Sequence, residues 1–291
     1  MKNKIYALMT VRNRIDFTVK CIDSLRKQSY NNIEIVLVDD GSTDDTPRIL
    51  RKKYGKEIKI LKGNGNLWWT GGMNLGLKYI LKRCDIKNDF VLLLNNDIYF
   101  ESDFVEEMLK TACNNEKTII GSLDTNGESG KIIAVRHLQK NGITVPDIRL
   151  SKEDRIISDT DTLNARGTIV PMEVFFKIGC FSKKFPHYHS DYDFFYRTKK
   201  AGYKLMIDSK VTIYSQDDDK GLSGKVRGRK KISFKEFFQL FFSRRSSFNL
   251  YSRTLLVLLY TPFPQKIITL FKMFLNVPYV FFTKVIFHKN D

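Results

Sequence analysis

Two acidic turns stand where strands should end in this chain: Asp39-Asp40-Gly41-Ser42 follows the apolar run 33–38, and Asn95-Asn96-Asp97 follows the run 90–94. A carboxylate directly after a buried strand is well placed to hold a hard cation, since magnesium and manganese prefer carboxylate oxygens and share them with substrate phosphates. The plainer alternative is an ordinary strand exit, an Asx turn or a helix N-cap. Between these turns, the stretch from Gly63 to Asn74 sets glycines beside Trp68 and Trp69 ahead of a helix. Small residues let the backbone approach a ligand while the helix N-terminus faces an anion. A glycine-rich loop capped by core indoles would have the same composition. Further along, His187-Tyr188-His189-Ser190-Asp191-Tyr192-Asp193 runs into Phe194, Phe195, Tyr196 and Arg197. With a helix beginning near Asp191, that acid sits at an exposed helix start and can accept a proton from an incoming hydroxyl. Alternatively, both acids offset the helix dipole or pair with Arg197.

The elements that must carry these residues follow from the hydrophobic pattern. Short apolar runs alternate with helical periodicity in the N-terminal third, the habit of a parallel sheet with crossover helices. Strands are predicted at 5–10, 33–38, 58–61 and 90–94, and helices at 16–27, 43–54 and 71–83. Asp44 and Asp45 favour the start of the second helix electrostatically. Ligands of such open sheets sit beyond the carboxyl ends of the strands, so the polar clusters at 10–13, 39–42 and 95–97 should converge there. Residues 121–161 read as mixed strands and loops, followed by a strand at 167–171, a helix at 173–178, the segment 186–203 and a strand at 204–207.

Lys and Arg number 49 against 32 Asp and Glu, so the surface attracts polyanions such as nucleic acid, anionic lipid or phosphorylated ligands. The length suits one sizeable α/β domain with an appendage. Cys21, Cys84, Cys113 and Cys180 lack the close spacing of a zinc site or a small disulfide scaffold. The N-terminus has no apolar stretch of signal-peptide length, and a cytoplasmic location is the expectation. Beyond residue 216 the composition shifts to a charged linker, 217–231, and then to a stretch dominated by Phe, Leu, Ile, Tyr, Lys and Arg. The chain therefore divides into residues 1–216 and a basic, apolar helical tail, 217–291. Phe234, Phe237, Phe238, Phe241 and Phe242 recur at helical spacing beside Lys230, Lys231, Lys235, Arg244 and Arg245. That pattern suits an interfacial helix on anionic lipid, a helix packed on the rest of the chain, or a homodimer interface. The uncharged runs 254–265 and 273–283 each contain proline and fall short of the roughly 20 residues that cross a bilayer, so the tail is expected to lie on a membrane surface.

The order of the motifs carries more than any one of them. Thr10-Val11-Arg12-Asn13-Arg14, Ser24-Leu25-Arg26-Lys27-Gln28, Val38-Asp39-Asp40-Gly41-Ser42-Thr43-Asp44, Gly71-Gly72-Met73-Asn74-Leu75-Gly76, Asn95-Asn96-Asp97 and Asp191 to Arg197, in that series, resemble the family 2 glycosyltransferases of GT-A fold. The resemblance covers roughly residues 4–215 and extends to rhamnosyl- and galactofuranosyltransferases of bacterial surface polysaccharides. It implies an α/β, Rossmann-like mixed sheet flanked by helices, ahead of the C-terminal helical tail. It implies that Thr10, Arg12 and Asp39 hold the nucleotide, with Asp39 reading the base, and that Gly71, Gly72, Asn74 and Asn96 line the sugar-nucleotide pocket. Asp97 would hold Mn2+ or Mg2+ at the diphosphate, and Asp191 would be the catalytic base of an inverting transfer. Arg166, Trp69 and His189 become acceptor-side candidates, Arg166 with a structural salt bridge as its alternative.

The donor so implied is a UDP- or dTDP-linked sugar, and the acceptor a saccharide on a polyprenyl diphosphate at the inner face of the cell membrane, as in capsule or O-antigen assembly. Nucleic acid is not among the implied partners. Two departures from the family pattern stand out. Ser190 occupies a position where many relatives carry Glu, and Tyr214-Ser215-Gln216-Asp217-Asp218-Asp219 lacks the histidine often found after that strand. The acidic run 217–219 could replace it as a metal ligand, or be a solvated loop. The competing readings are a basic nucleic-acid-binding protein with a nucleotide-binding α/β domain, and an inactive relative serving as a scaffold.

Overall fold

The computed structural model describes residues 3–140, 143–149, 155–216, 225 and 231–286. Strand β1 (Ile5–Val11) leads through α1 (Ile15–Arg26) to β2 (Ile33–Asp39), and α2 (Thr46–Tyr54) leads to β3 (Ile58–Lys62). Helix α3 (Trp68–Ile80) returns the chain to β4 (Phe90–Leu93), followed by β5 (Ile98–Tyr99) and α4 (Phe104–Cys113). Next come β6 (Thr118–Asn126), β7 (Ile132–Ala134), the pair β8 (Arg136–Lys140) and β9 (Ile143–Asp147), and β10 (Ile156–Ile157). The unit closes with β11 (Thr168–Pro171), α5 (Met172–Ile178), α6 (Ser190–Lys200) and β12 (Lys204–Ser215).

One mixed sheet runs in the order β10-β12-β6-β11-β4-β1-β2-β3, with β5 beside β12 and β7 beside β6, while β8 and β9 form a separate hairpin. Strands β4, β1, β2 and β3 are parallel, and β11 is the antiparallel insert between β4 and β6. Alternate residues of β1 enter opposite cores, because side chains of a strand alternate between faces. Ile5, Ala7 and Met9 meet Cys21 and Ile22 of α1 and Phe104 and Met108 of α4 on one face. Tyr6 and Leu8 meet Met73 and Leu77 of α3 and Phe194 and Phe195 of α6 on the other. A strand covered on both faces must be apolar throughout, which is why β1 reads as an unbroken run. The chain leaves β1 for β2 on one side and returns to β4 on the other, so a crevice opens at the carboxyl ends of these strands.

Three of the shifts in predicted boundaries have a visible cause. Helix α3 begins at Trp68 rather than at residue 71, because a carboxylate from another strand end meets its first N–H groups, as described below. Helix α2 begins at Thr46 rather than 43, since Asn13 takes the N–H groups of Thr43 and Asp44. Strand β12 runs to Ser215 rather than ending at 207, because it pairs with β6 to Asn126 across an irregularity between Asp208 and Thr212.

The tail begins with α7 (Phe234–Phe242), started by a capping box between Ser233 and Glu236. Phe237, Leu240 and Phe241 turn inward with Ile232 and Val280, while Phe234, Phe238 and Phe242 remain exposed. Helix α8 (Leu250–Tyr260) is capped by Asn249, and α9 (Gln265–Val280) continues into a π-helical segment, Phe281–Ile286. Pro278 lies inside α9, so proline does not divide the run as its sequence suggested. The helical stretch Gln265–Ile286 is 22 residues long with mean hydropathy 1.2, enough by length and composition to cross a membrane. The expectation that no segment of the tail reaches that length is thereby corrected. The acidic run 217–219 and Lys230 lie outside the described residues.

Helix α3 approaches β1 so closely that its contact positions must be glycine. A Cβ at Gly72 would fall 2.3 Å from Thr10 Oγ1, and one at Gly76 would fall 2.2 Å from Leu8 Cδ1. Replacing Gly72 with Val is therefore expected to destabilise the fold by about 1–3 kcal/mol, the usual cost of overpacking, read as a lower midpoint in urea unfolding.

Candidate active site

The crevice is closed by loops whose backbone donors are met by side chains of neighbouring loops. After β1, Asn13 and Arg14 both adopt the left-handed region, at φ 61° and 64°. Such strain persists only where surrounding contacts hold it. Here the Asn13 N–H donates to Ser42 Oγ at 2.7 Å, and Asn13 Oδ1 accepts from Thr43 N at 2.8 Å. Arg12 is exposed and donates to the Gly65 carbonyl at 2.8 Å.

The paired acids at the end of β2 divide into two roles. Asp40 accepts the N–H groups of Gly65 at 2.8 Å and of Leu67 and Trp68 at 2.9 Å each, so it caps α3 from a different strand. Among the described residues Asp39 accepts only the Ser42 N–H, at 3.2 Å, which leaves its second oxygen without a partner there. Only Asp39 of the two has spare acceptor capacity towards the crevice.

Several predicted ligand-binding residues make contacts within the protein instead. Asn74 donates to the Phe181 carbonyl at 2.9 Å and accepts its N–H at 3.0 Å, so its amide is fully engaged in tying α3 to the segment before α6. Thr70 adds a hydrogen bond to the Phe185 carbonyl in the same seam. Thr10 packs beneath Gly72 with its hydroxyl on the Val38 carbonyl at 3.3 Å, and a Cβ on Gly71 would meet Leu67. The Asn96 amide turns inward to Thr18 Oγ1, 2.9 Å away, and Trp69 donates to Asn95 Oδ1 at 3.1 Å while its ring meets Phe181 edge-on. Asn74 and Asn96 thus each commit part of their amide to the protein, Asn74 to Phe181 and Asn96 through Nδ2 to Thr18.

Asp97 differs from its two asparagine neighbours. Its Oδ2 accepts from Arg14 Nη1 at 3.2 Å, whereas Oδ1 is enclosed, has no hydrogen-bond donor and lies 3.6 Å from Arg166 Nη2. Arg166 also reaches Asp124 Oδ2 at 3.0 Å and Ser215 Oγ at 2.8 Å. Burial pushes the Asp124 carboxyl up, with Arg166 and Ser215 pulling the other way. At the end of β12 the Gln216 N–H donates to the Asp97 carbonyl, and Gln216 Nε2 is buried without a partner beside it. Arg14, Asp124, Ser215 and Gln216 were not singled out as site residues from the sequence. Arg14 stood within the Thr10–Arg14 series and Ser215 and Gln216 within the stretch after the last strand, whereas Asp124 had no signal there.

Helix α6 starts at Ser190, one residue after His189 in the left-handed region. Asp191 is not at an exposed start: it lies in enclosed surroundings and accepts from Tyr192 N at 2.9 Å and Ala165 N at 3.3 Å. Desolvation pushes its carboxyl up to about 6, against the partial opposition of those backbone donors. Asp193 makes the structural pair instead, with Arg197 Nε at 2.9 Å and the Tyr260 hydroxyl at 2.6 Å. The Ala165-Arg166 dipeptide therefore joins the two acids, holding Asp191 through its first residue and approaching Asp97 through its second. His189 faces α8, with Nδ1 3.1 Å from Ser252 Oγ, and burial pulls its pKa down to about 3. His189 thus stands at a contact between α6 and the tail.

No group of three or more His, Cys, Asp or Glu able to hold a metal occurs among the described residues. Asp97 nonetheless fits a hard cation, since Mg2+ at a diphosphate needs only one or two protein carboxylates and Oδ1 is an enclosed acceptor with no donor.

The family model described as glycosyl transferase family 2 matches residues 6–181. An uncharacterized glycosyltransferase of Rickettsia prowazekii is 27% identical over 228 residues, which are 74% of this chain and 66% of that protein. Glycosyltransferase GlyA of Streptococcus pneumoniae is 32% identical over 109 residues, 37% of this chain and only 15% of its own length. The chain thus spans less than two thirds of either relative. Among solved structures, GalNAc-T7 with UDP, GalNAc and Mn2+ superimposes with TM-score 0.61 at 12% identity, covering 98% of this chain and 55% of that one. TarS of S. aureus superimposes with TM-score 0.53 at 15% identity, over 87% of this chain and 42% of its own. Both likenesses are to GT-A folds.

The division between the paired acids is testable without any substrate. Asp40→Asn turns an amide towards backbone donors and is expected to destabilise the protein by about 1–3 kcal/mol in urea unfolding. Asp39→Asn, with one such donor at stake, is expected to move the midpoint far less.

Proposed function

The chain belongs to glycosyl transferase family 2, and on that premise we propose that it transfers a sugar with inversion from a UDP- or dTDP-linked donor to a saccharide acceptor. The observation that carries this reading is the linking of two carboxylates, Asp97 and Asp191, through the Ala165-Arg166 dipeptide. Inversion requires a proton acceptor on one side of the anomeric carbon and a stabilised leaving group on the other. Asp191 is raised towards neutrality, as suits a general base, and takes the proton of the acceptor hydroxyl. Arg14 and Arg166 set positive charge beside Asp97, where the departing nucleoside diphosphate gains its own negative charge. Asp39 offers an acceptor to the donor's base, and Arg12 flanks the same loop. A Mn2+ or Mg2+ ion held at Asp97 would offset the charge on the leaving diphosphate. The GalNAc-T7 structure, crystallised with UDP and Mn2+, lends that expectation support.

On the same reading, residues 1–216 are the catalytic unit and 217–291 attach it to the cytoplasmic face of a bacterial membrane. The saccharide is then carried on a polyprenyl diphosphate in capsule or O-antigen assembly. Support comes from the apolar side chains that α7 to α9 leave exposed, including Phe238, Phe242, Phe263, Phe271 and Phe274. A basic nucleic-acid binder would not need them. Membrane-bound protein is therefore expected to stay bound in high salt and to require detergent for release, whereas release by salt alone would favour the nucleic-acid reading.

Asp191 is active only when ionised, so kcat/KM is expected to fall about tenfold per pH unit below about 6 and to level off above it. Asp191→Asn should abolish transfer and leave UDP affinity intact; unchanged turnover would remove the assignment of Asp191 as the base. Asp97→Ala should remove the dependence of donor affinity on added Mn2+ or Mg2+, measured by titration with and without chelator. A donor-hydrolysis screen over UDP- and dTDP-sugars identifies the donor, and no hydrolysis of any would count against the transferase reading.

A further inference from the structure

Two arginines of the tail stand against the segment that introduces the base helix. Arg253 on α8 is half-buried, with its guanidinium 5.4 Å from the Phe248 ring centroid and no carboxylate partner among the described residues. Burial pulls its pKa down, as follows for a charge removed from water with nothing opposite it. It is also the charge felt by His189, two residues before Asp191. Arg245, in the connection between α7 and α8, places its guanidinium 5.6 Å from the centroid of Trp68, the first residue of α3. It too has no carboxylate partner among the described residues. The ring of His187 packs edge-on to Trp68 at 5.9 Å, and its Nδ1 is buried with no hydrogen-bond partner. Two unopposed cations and an orphan imidazole nitrogen thus bracket the turn from His187 to His189.

A cation partly removed from water without a counter-charge, as Arg253 is, carries a cost that a bound anion relieves, and the exposed Arg245 adds attraction for the same anion. The setting narrows the anion. Leu258, Leu259 and Phe263, at the far end of α8 and beyond it, are exposed, as are Ile267 and Phe271 along α9. A ligand with an anionic head and an apolar chain would meet both features together. We infer that Arg245, Arg253 and His187 form a site for the diphosphate of a lipid-anchored acceptor, whose apolar chain runs along α8 and α9. The inference rests on the transferase reading above, for which it names the wall that holds the acceptor. The anchored head would stand beside the turn into α6, so that the saccharide extends towards Asp191.

The test uses the full chain in detergent micelles with saturating UDP and Mg2+, which keeps the donor site from capturing other diphosphates. Farnesyl diphosphate, farnesol and inorganic pyrophosphate are titrated separately, with Trp68 fluorescence and calorimetry as readouts. Farnesyl diphosphate is expected to bind about tenfold tighter than either fragment, and Arg245→Gln combined with Arg253→Gln to weaken it by about tenfold or more with UDP affinity unchanged. Arg245 is exposed, so Arg245→Gln alone reports on the site even where the Arg253 change disturbs folding. Equal binding of farnesyl diphosphate by wild type and variants would overturn the proposal. So would farnesol binding as tightly, which marks a merely apolar surface, or pyrophosphate binding as tightly, which marks a free-phosphate site. Wild-type protein that binds UDP but not farnesyl diphosphate loses this inference only, whereas failure to bind UDP removes the transferase reading beneath it.

Discussion

The geometry of the crevice depends on one carboxylate, Asp40, satisfying backbone donors that the sheet leaves over. A parallel sheet ends in loops whose N–H groups have no ladder partner, and helix starts add more. Asp40 gathers three of them, from Gly65, Leu67 and Trp68, and so fixes the glycine loop and the first turn of α3 against the end of β2. Asn13 performs the same service for the loop before α2. With α3 fixed, Gly72 and Gly76 bring it against β1, and Asn74 and Thr70 clamp the segment that delivers α6. The position of Asp191 is thus inherited, contact by contact, from the turn at Asp40.

A recurring division of labour follows. Each polar cluster contains residues spent on structure and one left over. Asp40 is spent and Asp39 retains an oxygen; Asn95 and Asn96 each commit one amide atom, to Trp69 and Thr18, and Asp97 retains an oxygen; Asp193 pairs with Arg197 and Tyr260, and Asp191 takes backbone donors alone. The physical basis is economy of buried hydrogen bonding. Most polar groups at a buried strand end must be satisfied by the protein, so only those that the fold leaves unsatisfied can serve a ligand.

The tail is bound into this arrangement rather than trailing from it. Tyr260 stacks on Tyr196 at 4.5 Å and donates to Asp193, Ser252 meets His189, and Arg245 covers Trp68. The helices that expose apolar side chains to their surroundings therefore also brace the base helix. Any force on the tail at an interface acts on α6 through these contacts.

The parallel sheet with crossover helices and the convergence of three polar turns were legible in the sequence, because burial imposes hydrophobic runs and parallel strands expel polar residues to their ends; the strand order and the division of β1 between two cores were not. The candidates Asp39, Asp97 and Asp191 were legible as residue types in a series. Which member of each polar cluster stays free was not, since that depends on donors arriving from distant segments: Gly65 for Asp40, Thr18 for Asn96, Phe181 for Asn74. The convergence of Arg14 and Arg166 on Asp97 was equally out of reach, because they are 152 positions apart in the chain and reach that carboxylate from different segments. Helix length in the tail also escaped a local rule, since Pro278 lies within a helical run that continues past it. Sequence pattern determined what each segment buries, and tertiary structure decided which polar atoms remained for chemistry, because a hydrogen-bond partner is a property of space and not of spacing.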